Sequence, residues 1–453
     1  MLRLPIDAGF HVRTFGRRCA MIASVLVSLG CVACSSGPSS SIAETALIDP
    51  PSPAPTDSPS PIPQGFIKHV VIIVQENRSF NNLFHGYPGA YTVNSGMIHT
   101  GKIVALKSTP LAENYDVSHS HDVWVKAYDG GRMDGFDLEG TGASSPLAPY
   151  AYVQQSDIEQ YWTFAADYTL ADQMYQSNTG PSYPAHQYLI AGQSENADEN
   201  PSDADVWGCD SSPGTRVKVL DQTGREREGP FPCFDYQTLA DEIDTAGLSW
   251  LQYAQSTTNF FNAYDAISHI RYGPDWPSHI ISPSVQIVAD VSAGLLANVT
   301  WVTPAFTDSD HPGNKSATGP AWVSSVVDAI GNSPFWGSTA IFVLWDDWGG
   351  MYDPMPPPKL DVMGLGFRVP LLVISPYARK GYISHFRHES GSILQFTEQA
   401  LGLPSLGTAD ARADNLGDCF DFTQAPLPFV DVKPTLSHAQ LTTLRTAPPE
   451  NDY

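Results

Sequence analysis

Apolar residues in this chain come in short unbroken runs, each followed by a polar cluster and then by a stretch of helical or loop character. Val70–Val74 is the first run, and Leu248–Tyr253, Val299–Thr303, Ala340–Leu344 and Val369–Ile374 repeat it. Runs of this length without polar interruption read as strands buried on both faces, the habit of strands in parallel sheets. Helix candidates fall between them at Tyr183–Ala191, Tyr236–Ala246, Ala321–Ile330 and Ser390–Leu401. The alternation predicts an α/β fold with a central, mainly parallel sheet and helices on both faces. Ligands of such sheets gather just beyond the carboxyl ends of the strands. Two polar clusters occupy that position, Gln75-Glu76-Asn77-Arg78-Ser79 after the first run and Trp345-Asp346-Asp347-Trp348-Gly349-Gly350 after the fourth.

Three segments break the rhythm. In residues 1–34, Arg13, Arg17 and Arg18 precede an apolar run, Ala20–Leu29, that is too short for a convincing membrane span, so the segment reads as an export signal. Its end, Leu29-Gly30-Cys31-Val32-Ala33-Cys34, resembles a lipoprotein processing site; lipid anchoring at Cys34 or Cys31 and simple cleavage are both open, and with them a periplasmic, outer-surface or secreted location. Residues 35–64 are Ser/Pro-rich without apolar periodicity and read as a disordered tether. The remainder, 65–453, reads as one catalytic domain interrupted around 195–234 by a charged, Cys-containing insertion, placed at the surface as a candidate lid over the site. In an exported chain Cys209 and Cys233 are expected to pair across it, leaving Cys419 as a buried thiol.

Charge narrows the partners. With 24 Lys+Arg against 48 Asp+Glu the formal net charge is -24, which argues against nucleic acid or an anionic membrane surface as the main partner. A site that handles phosphate in such a chain needs its own cations, whether a metal or Arg and His.

Candidate chemistry lies after the apolar runs. Glu76, Asn77, Asp346 and Asp347 offer hard oxygen ligands for a divalent ion; an ordinary polar turn explains the first pair equally simply, whereas the flanking Trp and Gly-Gly favour the ligand reading over an acidic turn for the second. Ser182, in Thr179-Gly180-Pro181-Ser182-Tyr183-Pro184-Ala185-His186, sits at or just before a helix start, where backbone N–H groups and the helix dipole favour negative charge. A plain N-cap is the alternative. His311 follows the third run, His119 and His121 lie in a polar loop, and His388 directly precedes the last helix, where a structural role is open to it.

Taken together, Gln75–Phe80, Gly131-Arg132-Met133-Asp134-Gly135-Phe136, Gly180–Pro184, Ser309-Asp310-His311-Pro312, Trp345–Gly350 and His388-Glu389-Ser390-Gly391-Ser392-Ile393-Leu394 resemble, in order, the bacterial phosphoesterase family of acid phosphatases and non-haemolytic phospholipases C. The resemblance implies an alkaline-phosphatase-like core holding one divalent metal, with Ca, Mg, Mn and Zn all open. It implies Glu76, Asn77, Asp346, Asp347 and Ser182 as metal ligands and Ser182 as the nucleophile, passing through a phosphoserine intermediate. His119, His311 and His388 become the residues around the phosphate or leaving group, with His121 and His186 weaker candidates; Arg78–Phe80 hold the turn.

The chain departs from the family at Pro354, where members often carry His after Tyr-Asp, and at Tyr183, where phospholipase relatives often carry His; Cys419 replaces an apolar residue. It also ends soon after the helix at Leu401, where longer phospholipases add C-terminal domains. The expectation is therefore an acid phosphatase acting on a phosphoester, fastest at mildly acidic pH. A phospholipase C cleaving lipid headgroup phosphodiesters is the first alternative, and a non-catalytic, metal-stabilised exported binding lipoprotein the second.

Overall fold

The computed structural model describes residues 60–202, 206–258, 261–433 and 435–447. The export signal and the tether up to residue 59 lie outside them. Just before residue 65, Ile62 is buried and its N–H donates to Gln399 Oε1 (3.1 Å), while Ser60, Pro61 and Gln64 are exposed.

Eight strands form the central sheet: β1 (His69–Gln75), β2 (Thr169–Ala171), β3 (Trp250–Tyr253), β4 (Ile280–Ile281), β5 (Val299–Val302), β6 (Thr339–Trp345), β7 (Leu371–Ile374) and β8 (Tyr382–Ser384). Their order is β4-β3-β5-β1-β6-β7-β2-β8. Every pairing is parallel except the two made by β7, which runs against both β6 and β2. The mixed α/β fold with a mainly parallel sheet is thus what the apolar runs predicted. All five runs are strands, trimmed or extended by one or two residues. Val70–Val74 and Ala340–Leu344 form the middle of the sheet, and their side chains are buried on both faces, which is why neither run alternates.

Four helices concern the site or its surroundings: α1 (Ser182–Ala191), α2 (Leu239–Thr245), α3 (Gly319–Gly331) and α4 (Ser390–Leu401). Helix α2 starts later than the expected Tyr236 because Thr238 and Asp241 form a capping box that sets its first turn. Helix α1 is buried along its whole length, so its apolar and aromatic residues show no amphipathic stripe. In the insertion, Cys209 and Cys233 are bridged around a small hairpin, Lys218–Leu220 against Glu226–Glu228, and Cys419 is a free, buried thiol. Among the described residues no helix is long and apolar enough to cross a membrane.

Candidate active site

Sheet register puts the two polar clusters side by side. Gln75 on β1 pairs with Trp345 on β6, and the Asp346 N–H donates to Gln75 O at 3.0 Å. The next residue on each strand, Glu76 and Asp346, therefore leaves the sheet beside its neighbour. Asn77 turns the chain in the left-handed region at φ 35°, and its carbonyl lies against Gly349 so closely that a Cβ there would sit 2.0 Å from it. Gly349 itself has φ 60° and donates its N–H to Asp347 Oδ1 at 2.7 Å. Only glycine allows this loop to fold back and bring the Asp347 carboxylate to Asn77.

Helix α1 delivers Ser182 to the same point. Asn77 Nδ2 donates to Ser182 Oγ (3.0 Å) and to Asp347 Oδ2 (2.7 Å), while Ser182 Oγ lies 3.2 Å from Asp347 Oδ2 and 3.5 Å from Glu76 Oε2. One turn along the helix, His186 Nε2 is 3.1 Å from Glu76 Oε1 and 3.6 Å from Asp346 Oδ2. All six side chains are buried. Ligand-capable atoms of Glu76, His186 and Asp346 lie within 4.8 Å of one another. Asp346 Oδ1 and Oδ2 and Asn77 Oδ1 are buried acceptors that receive no hydrogen bond.

Such acceptors, crowded together in a dry place, are costly unless something positive meets them. Burial, with Glu76 and Asp347 alongside, pushes the Asp346 carboxyl well above the usual carboxylate range. Burial also holds His186 below the usual imidazole value against the upward pull of Asp346 and Asp347. A donor set of three carboxylates, an amide oxygen, a hydroxyl and an imidazole fits a divalent ion.

The loops around this cluster bring two of the three expected histidines. His119 donates from Nδ1 to Val117 O (2.8 Å) and turns Nε2 to the site, 3.3 Å from Asn77 Nδ2 and 3.9 Å from Asp347 Oδ2. Burial alone depresses His119, but Asp347, Asp116, the Val117 carbonyl and Asp346 outweigh it and raise the group to about 9. The His311 ring centre is 5.6 Å from that of His119. Gln75 fixes its loop at two points, donating from Nε2 to Asp308 O (3.1 Å) and accepting at Oε1 from the Asp310 N–H (3.0 Å). Arg78 adds a third, Nε to Asp310 O at 2.6 Å, and pairs with Glu113, so it anchors the neighbouring loops. A cleft of about 470 Å³ opens beside His119 and Pro181, and Glu199 and Asn200 of the insertion help line it.

His388 is not among these contacts. Its ring is buried, with Nδ1 to Asp414 Oδ2 at 2.8 Å and Nε2 to Ser384 Oγ at 2.7 Å, in a network beside the start of α4. His121 bonds Thr179 Oγ1 (2.8 Å). His186, by contrast, stands closer to the carboxylates than its rank in the sequence suggested. Its signal was the spacing of four from Ser182, which puts both side chains on one face of a helix.

The Phosphoesterase family profile matches residues 67–404. Among curated proteins, the chain is 26% identical over 453 aligned positions to "Phospholipase C B" of Mycobacterium tuberculosis, covering 84% of this chain and 82% of that one. It is 24% identical to "Hemolytic phospholipase C" of Pseudomonas aeruginosa, where 79% of this chain spans only 56% of the relative's length. Among solved structures it is similar to a protein of the alkaline phosphatase superfamily from Vibrio parahaemolyticus, at 12% identity and a TM-score of 0.38 over 78% of this chain and 72% of that one.

Proposed function

The chain belongs to the Phosphoesterase family and is a phosphoric ester hydrolase, and we propose that it works through Ser182 as nucleophile beside a divalent ion. Glu76, Asn77, Asp346, Asp347 and Ser182 would hold that ion. The observation that carries this reading is the Ser182 hydroxyl itself, at the N-terminus of a buried helix and within 3.5 Å of Glu76, Asn77 and Asp347. When bound, a divalent ion stabilises the serine alkoxide and offsets negative charge on the phosphoryl oxygens.

The chain's own groups supply the rest. Asn77 Nδ2 orients Oγ, and Asp347 Oδ2, 3.2 Å away, is placed to take its proton as Oγ attacks phosphorus. Attack from the helix N-terminus brings the incoming phosphoryl oxygens to the Ser182 N–H and the positive end of the α1 dipole, the Tyr183 N–H being taken by Asn200 Oδ1 (3.0 Å). His119 presents Nε2 and His311 lies beside it, so an imidazolium there donates to the leaving oxygen, and the same pair directs the water that cleaves the phosphoserine. His388, whose ring is already engaged on both nitrogens, anchors the start of α4 in this reading.

For the substrate, we favour a phosphomonoester. Tyr183 stands where phospholipase relatives often carry His, and its hydroxyl donates to Pro232 O (2.8 Å), so it faces the insertion rather than Ser182. Headgroup phosphodiesters of lipids are the second reading, favoured by the names of the relatives. We also place the enzyme outside the cytoplasm, on the pattern of residues 1–34.

The test is an assay of the purified protein on p-nitrophenyl phosphate, its bis-ester and phosphatidylcholine, before and after chelation, with Ser182→Ala as control. Ser182→Ala should lose on the order of a ten-thousandfold or more of turnover, and trapping with acid should leave phosphate on the wild type alone. Wild-type turnover in the variant would exclude the serine mechanism; no turnover by the wild type on any ester would favour the binding lipoprotein.

A further inference from the structure

We propose that His186 is a nitrogen ligand of the divalent ion and that it turns the site toward zinc-like transition ions and away from calcium and magnesium. The inference rests on the metal centre of the preceding section and goes beyond it in naming a ligand and the class of metal.

Three observations carry it. First, His186 lies four residues after Ser182 on a helix buried throughout, so the backbone that presents the hydroxyl also presents the ring, one turn deeper. Second, the ring enters the gap between two carboxylates from different strands: Nε2 is 3.1 Å from Glu76 Oε1 and 3.6 Å from Asp346 Oδ2, and the ligand atoms of all three residues lie within 4.8 Å of one another. Third, Asp346 is buried and no donor meets either of its oxygens in hydrogen-bond geometry. Nε2 has a single hydrogen at most, which at 3.1 Å can serve Glu76 Oε1 alone, so the ring as an N–H donor leaves Asp346 unmatched, whereas an ion bound by Nε2, Glu76 and Asp346 meets all three residues at once.

Metal choice follows from ligand chemistry. Calcium and magnesium take oxygen donors, calcium six to eight of them and magnesium a mostly hydrated octahedron. Imidazole nitrogen adds little for either ion, whereas it suits zinc, iron, nickel and copper. Without His186 the cluster is an all-oxygen site; with it the set is mixed.

The experiment uses the full protein, its His186→Gln and His186→Asn variants, and Asp346→Asn. Each is stripped of metal by chelation and dialysed against equimolar Zn²⁺, Mn²⁺, Mg²⁺ and Ca²⁺; bound metal is then counted by mass spectrometry. The wild type should retain zinc in preference to calcium and magnesium. Both His186 variants should bind zinc on the order of ten- to a hundredfold more weakly, with calcium and magnesium binding little changed. X-ray absorption of the zinc-loaded wild type should show imidazole scattering that the variants lack. Unchanged zinc affinity in both variants, or a wild-type spectrum without imidazole, overturns the inference. Asp346→Asn separates the two levels of the argument: weakened metal binding there, with zinc binding intact in the His186 variants, sinks only the histidine ligand, whereas a wild type that retains none of the four metals sinks the metal centre itself. Should neither His186 variant fold, the wild-type spectrum decides alone.

Discussion

Glu76 and Asp346 at the ends of β1 and β6 with His186 of α1, and His388, Asp418 and Cys419 beside α4, look alike in composition. Each group sets three ligand-capable atoms within 4.8 Å of one another. Their hydrogen bonding differs. Around His388 the accounts close: Asp414 takes His388 Nδ1, Ser392 Oγ (2.6 Å) and the Leu416 N–H (2.9 Å), while Ser384 Oγ meets His388 Nε2 and donates to Asp418 Oδ2 at 2.5 Å. At the strand ends, Asp346 is left with two bare oxygens and Asn77 with one. Burial pushes both Asp414 and Asp346 upward, but His388 and the serine bring Asp414 back below its usual range, whereas Glu76 and Asp347 push Asp346 further up. Ligating residue types brought together do not by themselves mark a metal centre. What distinguishes the strand-end group from the one beside α4 is its deficit of donors.

The widest separation between the clusters should appear in turnover. Asp346→Asn is expected to lower kcat on p-nitrophenyl phosphate about a thousandfold or more, several kcal/mol of barrier, while Asp418→Asn leaves the rate per folded molecule within about tenfold. Equal losses in the two variants would erase the distinction. Stability should separate them the other way. Removing one partner of a buried, hydrogen-bonded ion pair typically costs about 3–5 kcal/mol, so His388→Ala should shift the denaturant midpoint far down, and an unmoved midpoint would mean the network contributes nothing.

The smallest effect, and the one that sharpens the contrast most, is the response of metal-free protein to pH. Folded Asp346 keeps its proton above the pH of about 4 at which an unfolded carboxyl releases it, so the folded state binds the extra proton and stability falls as pH rises through the folded titration. Asp346→Asn has no charge to bury; it should flatten that fall and raise the metal-free melting temperature near neutral pH by roughly 1–3 °C. Asp414 has the opposite sign: its contribution is present above its unfolded pKa and lost on acidification. His388, depressed by burial but raised overall by Asp414, contributes fully below about pH 6.5 and loses its contribution as pH climbs through its folded value. Melting curves of the wild type, Asp346→Asn and His388→Ala across this range, in chelator, would show whether the signs hold.

Central strands were legible in the sequence because burial on both faces leaves an uninterrupted apolar run, as in Val70–Val74 and Ala340–Leu344. The strands Thr169–Ala171, Ile280–Ile281 and Tyr382–Ser384 were not, since two or three residues carry no period and owe their state to a neighbouring strand. Nor could β7 announce its direction, because an apolar run reads the same either way. In the site, Glu76, Asn77, Asp346, Asp347 and Ser182 were nameable from position and do converge. The surroundings of His388 were hidden because Asp414 and Asp418 follow it at a distance, in a segment without periodic signal. His186 was undervalued for a different reason: its importance depends on Glu76 and Asp346, which approach it only through tertiary structure.

The register of β1 on β6 has a consequence for when the chain can acquire metal. Asn77 and Asp347 touch across 270 residues of sequence, and closing a loop of that length comes late compared with local structure. A ribosome that has released the first strand has still to make more than half the chain before the acidic pair exists. Under the proposed metal centre, the ion would be drawn from whatever surrounds the chain once its last third has folded, so the place of final folding would bear on the choice alongside the ligands.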